Sequence, residues 1–246
     1  TITDSFDDQI HISYHPSLSA HHDLVTNQND KTLSLTDKKL YESPFISSGI
    51  GGILHIASSY SRRFEEVSLQ VPKGRSLKGI NVSANRGQTT IINASLENAT
   101  LNTNGYLLRI EGSRIKNSKL TTQNIINIFD TDLTDSQLES TKHHIHAENI
   151  QVHGKVELVA KTDLKLLLSE EEKQRINLDL STKHGSILHF VREGRHSFNN
   201  KENKDERLSN PYKIEKADAN DQLMARAEQD IYLLKSEEHE SASRNR

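Results

Sequence analysis

Between residues 76 and 149 one arrangement of apolar and polar positions recurs four times. Written as layers, the segments are SLKGINVSANRGQTTIIN, SLENATLNTNGYLLRIEG, SRIKNSKLTTQNIINIFD and DLTDSQLESTKHHIHAEN. A first set of apolar anchors, Leu77, Leu96, Ile115 and Leu133, is spaced by 19, 19 and 18 residues. A second set, Val82, Leu101, Leu120 and Leu138, keeps the same spacing, five residues behind the first. A third set runs Ile91, Ile110 and Ile128, with Ile145 as a looser fourth member. A fixed period near 20 residues is the signature of stacked repeats that share one continuous core. Two or three short strands per layer fit that length. The local alternation is closer to two than to 3.6, and Asn, Thr and Ser are abundant, so helices are disfavoured. Polar corners (ANRG, NTNG, TTQN and ESTK) separate the second and third anchors. Gly87 and Gly105 are expected to take positive φ there, and Asn124 to do the same.

The flanks carry the same signals less regularly. Ile10, Ile12 and Tyr14 alternate in residues 6–14, a polar loop follows, and Leu33 and Leu35 alternate again. Residues 43–54 read as a Gly/Ser loop. Val67, Leu69 and Val71 form a strand broken by Pro72 and Gly74. Beyond residue 149 the layers loosen into Val156 and Leu158, then Leu164 and Leu166. Residues 169–175 read as an exposed helical insertion. Leu178, Leu180, a KHG corner, Ile187 and Phe190 restore a layer, and 192–221 reads as a surface loop. Residues 222–234 favour helix by propensity, yet Leu223, Ala225, Ala227, Ile231 and Leu233 alternate as a strand–turn–strand. We expect strands there, with a corner near Glu228–Asp230, closing the last layer. The expected fold is an all-β, β-helix-like solenoid of stacked sheets. One domain covers 1–235, with irregular N-terminal layers 6–74, regular repeats 75–149 and C-terminal layers 150–235, followed by a tail at 236–246.

Composition sharpens this picture. Only 5% of the 246 residues are aromatic and there is no Trp, which suits thin aliphatic layers better than a core built on bulky centres. The net charge is −3, with Lys and Arg dispersed among as many acids, so nucleic acid is not an expected partner. The absence of Cys excludes disulfides, thiolate metal sites and a Cys nucleophile. No stretch approaches the roughly 20 apolar residues that span a bilayer. The chain opens at Thr1 without Met, and the expectation is that a signal or membrane anchor preceded it.

The run VPKGRSLKGINVSANRGQTTIINASLENATLNTNGYLLRIEG resembles the bacterial toast-rack repeat domain, an adhesin-labelled family of Gram-positive cell-envelope proteins. The matching strand end is Leu69, Val71, Pro72, Lys73 and Gly74. Leu223, Ala225, Ala227, Asp230, Ile231 and Leu233 match its final layer, with Gln229 standing where the family has Gly. The resemblance covers roughly residues 6–235. It implies a β-solenoid, exported or membrane-tethered, with no established catalytic residue; some relatives sit near envelope-stress signalling systems. The partner it implies is an envelope protein, a peptide or a wall polymer.

Four candidate chemistries remain. His143, His144 and His146 form HHIH, with His153 following; on a strand, His144 and His146 would share a face, as two metal ligands need. The commoner reading is a polar strand edge, and His21 and His22 are a weaker pair. Asp130, Asp132 and Asp135 suggest carboxylate chemistry, as in a polysaccharide-active β-helix enzyme, but turn-forming Asp is the more frequent role. Asn81, Asn93 and Asn98 each start an N-x-S/T sequence; in a bacterial protein they read as turn residues. GIGG at 49–52 lacks the Lys-Ser/Thr of a phosphate loop. The reading therefore assigns no catalytic residue, no metal and no cofactor, and expects a non-catalytic extracytoplasmic binding or structural module.

Overall fold

A computed structural model describes residues 1–14, 22–27, 32–37, 67–73, 80–82, 88–192 and 206–236. The N-terminal part contributes β1 (Ile2–Asp4), β2 (His11–Tyr14), β3 (His22–Asn27), β4 (Thr32–Asp37), β5 (Val67–Val71) and β6 (Ile80–Val82). β3 pairs with β4 as an antiparallel hairpin, so residues expected to form a polar loop include a strand. The regular layers then follow as strand triplets. They are β7 (Gln88–Ile92), β8 (Ser95–Glu97) and β9 (Thr100–Thr103); β10 (Leu107–Glu111), β11 (Arg114–Lys116) and β12 (Lys119–Thr122); β13 (Ile125–Phe129), β14 (Asp132–Thr134) and β15 (Gln137–Ser140); and β16 (Ile145–Glu148), β17 (Gln151–His153) and β18 (Lys155–Ala160). Equivalent strands pair in parallel, so each coil of the solenoid crosses three sheets.

Alternation within each strand decides the core. Leu96, Ile115, Leu133 and Val152 stack in the four-stranded sheet, and Leu101, Leu120, Leu138 and Leu158 in the eight-stranded sheet, all fully buried. Burying each such side chain contributes about 1.5–3 kcal/mol. Two expected anchors shift. Ile80, not Val82, stands beside Leu101; Val82 stands beside Thr103. Ile145 stacks on Ile126, and the position following Ile128 is taken by Ala147.

Two corners of every regular coil are tight and identical in design. Asn93, Gly112, Asp130 and Asn149 turn the chain from the 11-stranded into the four-stranded sheet, and Asn98, Asn117, Asp135 and Gly154 from there into the eight-stranded sheet; all have φ between 45° and 64°. Asn, Asp and Gly tolerate this left-handed conformation best. Gly105 and Asn124, expected to be left-handed, are not among the positive-φ residues; their corner is looser and bonded by side chains. The Asn124 amide donates to the Gly105 carbonyl at 2.8 Å, and the Thr122 hydroxyl accepts the Asn124 N–H.

Buried hydroxyls follow the tight corners. Ser118 Oγ accepts the Ala99 N–H at 3.0 Å and donates to Lys116 O at 2.7 Å; Ser136 does the same for Ser118 N–H and Thr134 O. Ser113 repeats the scheme at the other corner. Polar groups removed from water must be paired, and one hydroxyl at each tight corner of the two middle coils continues the main-chain ladder through the bend.

The C-terminal part departs from simple stacking. After β19 (Leu164–Leu167) comes a short helix, α1 (Glu170–Arg175), then β20 (Asn177–Thr182), β21 (Ile187–Arg192), β22 (Glu206–Leu208), β23 (Tyr212–Ile214), β24 (Gln222–Ala227) and β25 (Ile231–Ser236). The expected exposed insertion is a helix, but it covers the end of the four-stranded sheet, and Glu172 is buried. Residues 206–214 are two short strands pairing antiparallel with β21 and β20, where a surface loop was expected. The expected strands and corner of 222–234 are present. This layer does not close the stack: β24 lies between β18 and β20, and β25 between β19 and β21. Leu223 stands between Val156 and Leu178, and Ile231 between Leu164 and Ile187. In β21 the register sets His189, not Phe190, beside inward-facing Leu233. Gly185 lets this layer approach, since a Cβ there would lie 2.4 Å from the Gln229 main chain.

Candidate functional site

Most of the residues singled out in the sequence fall among the described ones. His144 directly precedes β16, and His146 lies within it; the two flank buried Ile145 on the outer face of the 11-stranded sheet. His146 Nε2 lies 2.8 Å from Glu148 Oε1, and its ring meets Phe129 edge-on at 5.7 Å. His153 belongs to a different sheet, 3.9 Å from Asp221. Among the described residues, no three His, Asp or Glu side chains come together as a metal would require. His22 lies in β3; His21 and the GIGG run fall outside the described residues.

The three aspartates do not converge. Asp130 and Asp135 occupy different left-handed corners, and Asp132 lies on the strand between them, 3.4 Å from Arg114. Asp135 Oδ1 accepts the Lys155 N–H at 2.9 Å, and Asp130 Oδ1 accepts from the Asn149 amide at 3.2 Å. These are turn roles. Asn93 and Asn98 are corner residues of the same two stacks, and Asn81 lies in β6.

Among the described residues, a concave feature runs along the outside of the corner between the four- and eight-stranded sheets. It is an open groove of about 480 Å³. Its floor is the stack Asn98, Asn117 and Asp135. One wall is the outward file Thr100, Lys119, Gln137, Glu157 and Met224, whose members are register partners on successive strands. Lys119 and Lys155 line the groove with no ion-pair partner among the described residues, so both cations are available to a ligand. The sequence held a signal for it: a polar residue two positions after each corner Asn or Asp, once per layer, as in Asn98/Thr100, Asn117/Lys119 and Asp135/Gln137. Attention to apolar anchors alone passes over that file.

Three parallel sheets, left-handed Asn/Asp/Gly corners and an aliphatic interior define a parallel β-solenoid of the repeat-protein class. The chain belongs to the Toastrack DUF4097 family, whose model matches residues 1–233. No curated protein and no solved structure matches it.

Proposed function

We propose that this chain is a non-catalytic, extracytoplasmic envelope module, held at the membrane by a preceding segment, that grips an extended partner along the groove beside Asn98, Asn117 and Asp135. The observation carrying the reading is the groove itself: one floor residue and one wall residue recur in each of three layers, a geometry for something long and regular. A solenoid suits this task because layers add contacts in line, so many weak contacts sum over its length. The toast-rack resemblance to cell-envelope domains supports the location. The dispersal of Asp130, Asp132 and Asp135 into turn and ion-pair roles supports binding over hydrolysis.

The test is membrane fractionation of the full-length protein, followed by protease treatment of intact cells. Membrane-associated protein that is cut from outside is the expected result; cytosolic protein overturns the envelope reading. In parallel, Thr100→Trp fills the groove from an exposed position without touching the core. Added as the purified 246-residue chain, this variant should fail to bind isolated envelope material that retains the unmodified chain.

A further inference from the structure

We infer that the groove accepts a net-neutral, β-linked polysaccharide bearing hydroxyl and N-acyl groups, laid along the solenoid axis with one sugar per layer; this rests on the functional reading above and gives its partner a chemical class. The groove floor has no main-chain N–H to offer. The N–H groups of Asn98, Asn117 and Asp135 donate to Lys116, Thr134 and His153 carbonyls of the next layer at 3.0, 2.9 and 3.1 Å. Those of Lys119, Gln137 and Glu157 donate to Ala99, Ser118 and Ser136 carbonyls of the previous layer, each at 2.9 Å. An extended peptide gains its affinity in strand addition from unpaired main-chain groups, and the donors here are committed. Recognition falls to side chains.

Those side chains repeat at the layer spacing of about 4.8 Å. Asn98/Thr100, Asn117/Lys119 and Asp135/Gln137 each present a polar pair on one step of the ladder. An extended β-1,4-linked pyranose chain advances by close to that spacing per sugar and turns each ring over relative to the last, so alternate sugars meet alternate pairs in the same way. Carboxamide, hydroxyl, ammonium and carboxylate groups together both donate and accept, which matches sugar hydroxyls and N-acyl amides. Lys119 and Lys155 are balanced by Asp135 and Glu157, so a polyanion gains little net attraction. Met224 ends the wall with an apolar surface for the C–H face of a ring.

Calorimetric titration of the full chain with β-1,4-linked N-acetylglucosamine oligomers, from dimer to hexamer, tests this. Affinity should climb steeply as the oligomer lengthens from the dimer and level off once it spans the groove. Lys119→Ala and Gln137→Ala should each weaken it several-fold with unchanged melting temperature, because neither side chain supports the core. Absence of binding, affinity independent of length, or equal affinity for an α-1,4-linked glucose oligomer overturns the polysaccharide assignment. The Thr100→Trp variant separates the two levels. If oligomers fail to bind while this variant still loses envelope retention, the groove takes another partner and only the sugar assignment falls. If the variant is retained like the unmodified chain, the groove reading falls as well.

Discussion

Glu172 accepts the N–H of Val152 at 2.7 Å, although the two residues belong to a helix and to the last strand of a sheet. Arg175, one turn along α1, donates to the Val152 carbonyl and also bonds Glu172 at 2.7 Å. Asp221 takes the Gly154 N–H at 2.7 Å and a second Arg175 donor. Burial alone would raise the Asp221 pKa, but the Gly154 N–H and Arg175 outweigh it and hold it below the usual carboxylate value. A side-chain pair therefore replaces the missing strand at the open end of the four-stranded sheet, where an unpaired edge invites association. At the other end Asp4 does similar work, accepting the Ser95 N–H at 2.6 Å and its hydroxyl at 3.0 Å. Glu172→Ala leaves a buried N–H unpaired and strips Arg175 of a partner, which should cost about 2–3 kcal/mol. Urea unfolding of the variant checks this, and a loss below about 0.5 kcal/mol would place the helix outside the folding core.

Leu120 sits between Leu101 and Leu138 and is fully buried. Leu120→Ala opens a void that layers above and below cannot fill, and should cost about 2–5 kcal/mol. Equilibrium unfolding provides the number. Thr121→Ala, on the outward side of the same strand, should change stability by less than about 0.5 kcal/mol.

At Gly154, as at Gly112, a side chain meets both backbone strain and a collision. The φ of Gly154 is 64°, and a Cβ would lie 2.1 Å from Asp135 Oδ1, the atom that accepts the Lys155 N–H. Gly154→Ala should destabilise by about 1–3 kcal/mol through the left-handed penalty and loss of that bond. Gly154→Asn shares the collision but tolerates the conformation better, so comparing the two melting temperatures apportions the loss.

Burial holds His144 below its ordinary imidazole pKa, helped by Lys165, His143 and His146 and opposed by Asp163. The folded state therefore binds this proton less readily than the unfolded chain. Its contribution to stability is complete above the unfolded value of about 6.5 and is lost as pH falls toward the lowered folded value. Melting temperatures measured from about pH 8 down to pH 5 should fall more steeply for the unmodified chain than for His144→Gln. Parallel curves would remove His144 as the cause.

What could be read from the sequence follows the constancy of each corner. Between β7 and β8, and between β8 and β9, the turn is two residues long and repeats through the next two coils. The anchors flanking those turns, such as Leu96, Ile115, Leu120 and Leu138, keep the spacing of 18 or 19 residues and stack as expected. The third corner varies: three residues before β10, two before β13 and four before β16. That variation carries Ile145 to the position beside Ile126 and hides Ala147, whose single methyl gives little apolar signal, in the file of Ile128. The groove was harder to see because its wall residues are polar on an exposed side, where no periodic apolar signal marks them. The placement of β24 was beyond local reading altogether. Its alternation with Leu223 and Ala225 suits either side of β20 equally well, and only the return path through β22 and β23 decides.

The position of β24 and β25 has a consequence for how the molecule is made. A chain leaving the ribosome can add coils in order up to β19, each on a finished template. The next rung cannot be laid, because its residues have not been synthesised, and β20 and β21 must wait across a gap one rung wide. Only when residues 222–236 emerge is that gap wedged shut, with six register pairs on each side of β24. That late-made rung is thus a keystone: a message cut short before it yields an arch that cannot lock, whatever the quality of the coils before it.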